Sequence, residues 1–505
     1  MMLDKRHQLP AVLLVAVCVG MAGCSETDIQ GVVLEEDLND PDLMPALVRG
    51  VNSELTDAWA LPRNNGGYLF EILSATDDFV NDRTDQDFIN LTISAFHDRE
   101  VEDAWNQSLE ASWAGLRAVE RMRLVFDEET FNTSPLVARA YIVSGMGERT
   151  LGDAYREGVF QFGPNGGFLL PGEQEFDNSQ IVSRDSIFQR VATLFELGLG
   201  FAERALAAGV PTPDDDPLFD PQRLVYTAHG GAAQAYMAMA SLGRNPAENW
   251  DLAVQHAREV PTDHVESIIH HEDVEDNAFR ELTWDDEGEE ATLWGALIDG
   301  QVFGTPALAL WPDDPRVSVT HCGDFETPPT FADGDIQGEV VDNEVDDCDR
   351  FITETDTYPV WVSNKYDEDG SDIPFITGTE MRLIEAEAAL VRGDLGEFTN
   401  QVNQVRAFHG ADPILPPTTV GEFEWPNAED DARSILDRER YLTLWLEGRR
   451  AFDLARWDHP WITEGHALTP RHRALLNGPR PFEAHPIPES ECNINGELNC
   501  PVLSP

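Results

Sequence analysis

The stretch LDRERYLTLWLEGRRAFDLARWDHP, Leu436–Pro460, sets five arginines and five carboxylates among bulky apolar side chains, with Trp445 and Trp457 among them. At helical spacing Ile435, Leu442, Trp445 or Leu446, and Phe452 share a stripe. Glu447 and Arg450, like Asp453 and Arg456, stand at i,i+3, a separation at which helical side chains meet. The stretch therefore reads as one amphipathic helix. Its charges admit two readings: a catalytic carboxylate pair, or a clamp of arginine forks on carboxylates. The rest of the chain decides between them.

Upstream, the body also reads as helices. In RDSIFQRVATLFELGLGFAERALAAG the residues Ile187, Val191, Leu194, Phe201 and Ala205 make one stripe, with acids and arginines opposite. VEDAWNQSLEASWAGLRAVERMRLVF and SPLVARAYIVSGMGERTLGDAYREG form an earlier pair. Two further segments repeat a helix–turn–helix plan, one turning at Gly243 to Pro246 and the other at Gly393 and Asp394. Ala235, Ala240, Ala253, Ala257, Ala386 and Ala389 are small enough to let such helices approach closely. The plan resembles degenerate tetratricopeptide pairs without a regular period, stacked as a scaffold over about 40–260 and 377–460. Residues 262–376, rich in Pro, Gly, Asp and aromatics, read as a long irregular insertion, and 408–430 as a shorter loop. No Gly/Ser or Pro-rich linker divides the chain, so 24–505 reads as a single domain, although 505 residues alone would allow about three.

The composition narrows the partners. Against 34 Lys+Arg stand 93 Asp+Glu, for a net charge of −59. Such a field repels nucleic acid and anionic lipid, and is best tolerated where salt screens it. The apolar fraction of 42% belongs to a folded protein. At the N-terminus, basic Lys5 and Arg6 precede an apolar run from Ala11 to Met21, too short to span a bilayer and suited to a signal peptide. Met21-Ala22-Gly23-Cys24 resembles a bacterial lipobox, which makes 1–23 a removable signal and Cys24 the lipidated residue. Cys18 leaves with the signal. The remaining cysteines, Cys322, Cys348, Cys492 and Cys500, suit disulfides in an exported chain. Three connectivities are open, of which the local pairs Cys322–Cys348 and Cys492–Cys500 are favoured.

Chemistry-bearing motifs are few. His264, His270 and His271 lack metal-protease spacing and read as solvated histidines. The acidic run Asp342 to Asp349 lacks the EF-hand spacing, so calcium remains a minor alternative to no cofactor at all. There is no GxSxG, P-loop or dinucleotide fingerprint. Trp294, Trp311 and Trp361 lie in the irregular region, where flat rings suit either a sugar face or the core beneath the loops.

The opening stretch is where a family resemblance enters. Glu439-Arg440, Glu447-Gly448, Arg450, Asp453-Leu454 and Arg456-Trp457 resemble the signature of the SusD/RagB family of outer-membrane nutrient-binding lipoproteins. Other blocks follow in order: DDPR at Asp313 to Arg316, NKY at Asn364 to Tyr366 before MRLIEAEAAL, and the closing PIPESECNINGELNCP. LVRGVNSELTDAW and SATDDF are similar to the family's first helix and the turn after it. The chain departs at Ala451, where the family usually has an aromatic, and in the two cysteines of the closing block. The resemblance implies a mostly α, SusD-like fold of tetratricopeptide-like pairs with long loop insertions. It makes the charged stretch a structural signature inside the fold, not a catalytic site. It further implies a non-enzymatic, surface-exposed lipoprotein on the outer membrane that captures oligosaccharides or peptides. Its partner would be a TonB-dependent, SusC-like transporter. A glycoside hydrolase and a helical-repeat adaptor without a small ligand are the alternatives.

Overall fold

Proline, aspartate and glycine decide where the helices start and stop. Pro135, Pro221 and Pro246 sit in first turns, where a missing N–H costs nothing. Asp220, Asp394 and Asp431 each cap a helix, the last taking the N–H groups of Arg433 and Ser434. The computed structural model describes residues 39–60, 67–74, 76, 79–81, 99–161, 169–172, 180–270, 277, 291–293, 314–321, 324–325, 330–332, 335–337, 340–341, 361–368, 370–423, 431–459, 484–485 and 487–494. Its α-helices in chain order are α1 Met44–Ala60, α2 Gly67–Ser74, α3 Arg99–Val125, α4 Glu128–Asn132, α5 Pro135–Ala154, α6 Arg184–Ala208 and α7 Pro221–Ser241. They continue with α8 Pro246–Arg258, α9 Gly378–Val391, α10 Leu395–Phe408, α11 Ala432–Thr443, α12 Arg450–Arg456 and α13 Glu489–Ile494.

The two expected helix–turn–helix units are α7–α8 and α9–α10. Both turn the same way. Gly243 and Gly393 take left-handed φ of 84° and 75°, and the next N–H reaches back to a carbonyl five residues earlier: Arg244 to Met239, and Asp394 to Ala389, each at 2.9 Å. This is the Schellman closure, which satisfies carbonyls that a helix end leaves open and favours glycine at its left-handed position. α1 packs on α3, α3 on α5, α5 on α6, α6 on α7, and α7 on α8, so the scaffold is a stack of neighbouring helices. Close approach needs missing side chains: a Cβ at Gly147 of α5 would stand 2.8 Å from the Ser108 carbonyl oxygen of α3. The expected stripe of α6, Ile187, Val191, Leu194, Phe201 and Ala205, is buried throughout. Each large apolar side chain removed from water in this way stabilises by about 1.5–3 kcal/mol. A smaller core joins α9, α10 and α11 through Ala386, Phe398, Val402, Ile435 and Leu436.

Between α8 and α9 the described residues form short antiparallel strand pairs. Val265–Ile268 pairs with Ile373–Thr377, which brings the two ends of the insertion to one place on the scaffold. Glu266, on the first of these strands, is buried and takes Arg139 of α5 at 2.6 Å and Arg223 of α7 at 3.2 Å. The insertion is thus pinned to the helical stack by charge as well as by backbone. Among the described residues no helix is long and apolar enough to cross a membrane.

Candidate functional site

The opening stretch is two helices, not one. α11 ends at Thr443, a turn occupies 444–448, and α12 begins at Arg450. Leu446 and Gly448 take left-handed φ of 58° and 66° in that turn. Trp445 and Leu446 are nevertheless buried, because the turn itself points inward. Of the two expected ion pairs only Asp453–Arg456 forms, at 2.8 Å. Glu447 instead meets Lys365 at 2.7 Å, and Arg450 meets Asp437 of α11. The break between the helices turns Glu447 away from Arg450.

A continuous charge network results. Arg440 donates through Nε to Asp453 at 2.7 Å and lies 3.4 Å from Glu380 of α9. Arg449 reaches the same Glu380 at 3.2 Å and also Asp153 of α5. Arg149, one turn before Asp153, donates to it at 3.1 Å and lies over Phe375, 3.7 Å from the ring centre. Arg456 forks onto Glu387 of α9, and Trp457 donates its indole N–H to that same carboxylate at 3.0 Å. Asp437 also takes His459 at 3.2 Å. Two sequence blocks from the insertion dock on the same stretch. Arg316 of the DDPR block holds Asp314 with two donors, at 2.8 and 2.7 Å, and donates to Glu439 at 2.8 Å. Lys365 and Tyr366 of the NKY block bind the carbonyls of Trp445 and Leu446.

The electrostatics are those of a sealed site. Burial alone would raise Glu380, but Arg449, Arg440 and Arg149 together hold it below the usual carboxylate range. Burial is likewise outweighed at Asp453 by Arg440 and Arg456, at Glu439 by Arg316, Arg438 and Arg406, and at Asp437 by Arg450 and His459. Glu447 goes the other way, since burial exceeds what Lys365 returns. General acid–base work needs a carboxyl within reach of a substrate and a pKa near the working pH. Glu439, Glu447 and Asp453 are all buried, and each is already paired. What this arrangement does chemically is tie α5, α9, α11, α12 and the insertion together.

The other sequence-derived sites fall elsewhere. Cys24, Trp294, Trp311, Cys322, Cys348, Cys500, His271 and the acidic run Asp342 to Asp349 lie outside the described residues. Trp361 starts a strand paired with Val319–His321. Cys492, on α13, packs against the main core. His264 and His270 are not solvated: they are only 8% and 4% exposed, and burial pushes both down to about 4. The short Val265–Ile268 strand between them folds back on the scaffold, which the sequence around them does not signal. Among the described residues no three His, Cys, Asp or Glu side chains gather to hold a metal ion.

An open cleft of about 420 Å³ lies between α3, the start of α6 and the strand Glu157–Phe160. Its floor is a closed polar unit. Glu148 of α5 accepts from Arg190 Nε through both oxygens at 2.8 Å and from Ser112 Oγ at 2.8 Å. Leu109, Leu116, Phe160 and Leu170 give it apolar walls. At its edge stands Trp113, 59% exposed, with Arg117 over its ring at 4.7 Å. Arg117 is itself tied to Glu120 at 2.8 Å. The sequence reading passed over Trp113. The signal was an aromatic set on the polar stripe Glu110, Trp113, Arg117, Glu120, facing away from the core.

This stack of helix pairs, with a strand-tied insertion docked on a buried charged helix–turn–helix, is the SusD-like fold. The chain is similar to the solved structure of a SusD homolog from Bacteroides thetaiotaomicron, with a TM-score of 0.58 at 14% identity, over 92% of this chain and 97% of that one. It is similar to a laminarin-binding SusD-like protein over 92% and 99% of the two chains, with a TM-score of 0.55 at 14% identity. A chitin-binding SusD homolog from Flavobacterium johnsoniae matches over 81% and 86%, with a TM-score of 0.56 at 10% identity. Residues 350–499, which hold the NKY block, the charged stretch and the closing block, match the SusD family. The family match thus covers the C-terminal part of the chain, while the fold is shared over nearly all of it. Comparison with curated protein sequences gives no match.

Proposed function

We propose that the chain is a surface-exposed outer-membrane lipoprotein that binds oligosaccharides, or peptides, and hands them to a TonB-dependent, SusC-like transporter. The observation that carries this reading is the fold, which extends over more than nine-tenths of the chain and is shared with a protein that binds laminarin. The chitin-binding relative supports the same reading. In this proposal 1–23 is removed, Cys24 carries the lipid, and 24–505 is one domain. Trp294, Trp311 and Trp361 offer rings to the ligand, and the charged stretch from Glu439 to Trp457 is a structural clamp. Disulfides then brace the loops, with Cys322–Cys348 and Cys492–Cys500 as the favoured pairs. Delivery by binding alone requires neither turnover nor a cofactor.

Two measurements test it. Cys24→Ser should release the protein from the outer membrane and abolish lipid by mass spectrometry, because the thiol that carries the acyl chains is gone. Titration of the mature protein against glycans and peptides should show binding without product formation, and a transporter of the TonB-dependent class should co-purify from membranes. Turnover of a bound glycan would replace the reading with the hydrolase one, and an unlipidated Cys24 would remove the anchor.

A further inference from the structure

We propose that the cleft beside Trp113 is itself a binding site for a neutral oligosaccharide, an inference that rests on the binding reading above but assigns it to residues of the helical scaffold. Three features point to this ligand class. The first is the platform. An indole 59% exposed is a large apolar surface left in water, and a guanidinium stands beside this one. Arg117 lies over the ring and Glu120 anchors Arg117, the three sharing one face of α3. Contacts that narrow the motion of the ring reduce the freedom it loses when a flat ligand face settles on it.

The second feature is the pattern of polarity. A sugar ring presents C–H faces and hydroxyl edges, so it needs apolar walls beside polar groups. Leu109, Leu116, Phe160 and Leu170 supply the first, and Asn106 and Gln161, on the lining, supply amide groups that both donate and accept. The volume of about 420 Å³ falls in the usual range of small-ligand clefts, about 300–1,000 Å³.

The third feature is charge. Each arginine of the cleft has its own glutamate, Arg190 with Glu148 and Arg117 with Glu120. Glu110 adds a further negative charge to the lining, in a chain whose net charge is −59. No uncompensated cation is left in this lining to hold a sulfate or a uronate, and the surrounding field repels both. The ligand is therefore uncharged.

The test is calorimetric titration of the mature protein with hexasaccharides of the laminarin, chitin, cellulose and amylose series, and with a polygalacturonate hexamer as the anionic control. At least one neutral hexamer should bind, and the uronate should bind at least about tenfold more weakly. Trp113→Ala should weaken the neutral ligand by about tenfold or more, with Trp113→Phe recovering part of the loss. Leu170→Trp, which fills the cleft and leaves Trp113 in place, should act like Trp113→Ala. Melting curves of all three variants should overlay that of the parent. If a neutral hexamer binds and both Trp113→Ala and Leu170→Trp bind it as the parent does, the cleft is overturned while the binding reading stands. If neither glycan nor peptide binds the parent, both fall. Equal affinity for the uronate overturns the assignment to neutral ligands.

Discussion

Two parts of this molecule use the same residue types to opposite ends. At α11–α12, Trp445 is 1% exposed and Arg440 is fully buried between Asp453 and Glu380. At α3, Trp113 is 59% exposed and Arg117 pairs with Glu120 in water. Desolvation makes the difference. Inside the fold an arginine must be matched or it destabilises, so partners accumulate until the site is closed. At the surface water screens the pair, its strength is small, and the indole beside it keeps a face for something else. A cluster of charges and tryptophans in sequence is thus ambiguous until burial is known, and here the denser cluster is the buried one.

The largest effect that would break this contrast comes from Arg450→Ala. It leaves Asp437, fully buried, without that arginine and with His459 at 3.2 Å. Removing one member of a buried pair typically costs about 3–5 kcal/mol. The calorimetric melting temperature should fall accordingly while the ligand affinity of the folded fraction stays near that of the parent. Full stability with lost turnover of some substrate would move the stretch from clamp to active site.

Why the sequence revealed one half of this and not the other follows from how local the causes are. The α7–α8 and α9–α10 turns were legible because Gly243 and Gly393 close them within six residues of chain. The caps Asp220 and Asp394 act over two or three residues. The break in the charged stretch was not legible, because it places a leucine, Leu446, at positive φ. What holds that turn is remote: Tyr366 donates to the Leu446 carbonyl at 2.9 Å from 80 residues away. Lys365 comes from the same place to take Glu447, so the i,i+3 pairing with Arg450 was the wrong local choice. The cleft was hidden for the same reason, since Glu148 and Arg190 of its floor lie 42 residues apart. DDPR and NKY were recognisable as blocks, but their shared task of docking on α11 and the turn appears only in three dimensions.

Acid should expose the buried half in two stages. His264 and His270, held down to about 4 by burial, stay neutral in the fold while the unfolded chain takes protons below about 6.5. Their contribution is complete above that pH and is lost as pH falls toward about 4. Glu380, Asp437, Glu439 and Asp453 are depressed carboxylates. Their contribution is present above the unfolded value of about 4 and is lost as pH falls through their lower folded values. Acidification also relieves the repulsion within a surface of −59, so melting should be followed in about 1 M NaCl, where that term is screened. The melting temperature should decline between pH 6.5 and 4 and then more steeply. His270→Leu should flatten the first stage, and an unchanged first stage in that variant would remove His270 from the account.

The smallest effect is the sharpest comparison. Arg117 and Glu120 are 49% and 38% exposed, whereas Arg450 and Asp437 are 3% and 0% exposed. Double-mutant cycles on the two pairs, run at low and high salt, measure what burial does to one kind of contact. The exposed pair should couple by about 0.2–1 kcal/mol at low salt and by almost nothing in about 1 M NaCl, because its charges are screened by solvent ions. The buried pair should couple several times more strongly and change little with salt, since ions do not reach it. Ligand binding supplies the second axis. Arg117→Ala, nearly silent in stability, should weaken a neutral glycan through the loosened Trp113 ring, while Arg450→Ala should not. If instead Arg117 and Glu120 couple as strongly as the buried pair and resist salt, the α3 face is a second clamp. Trp113 would then be a structural residue with its edge in water.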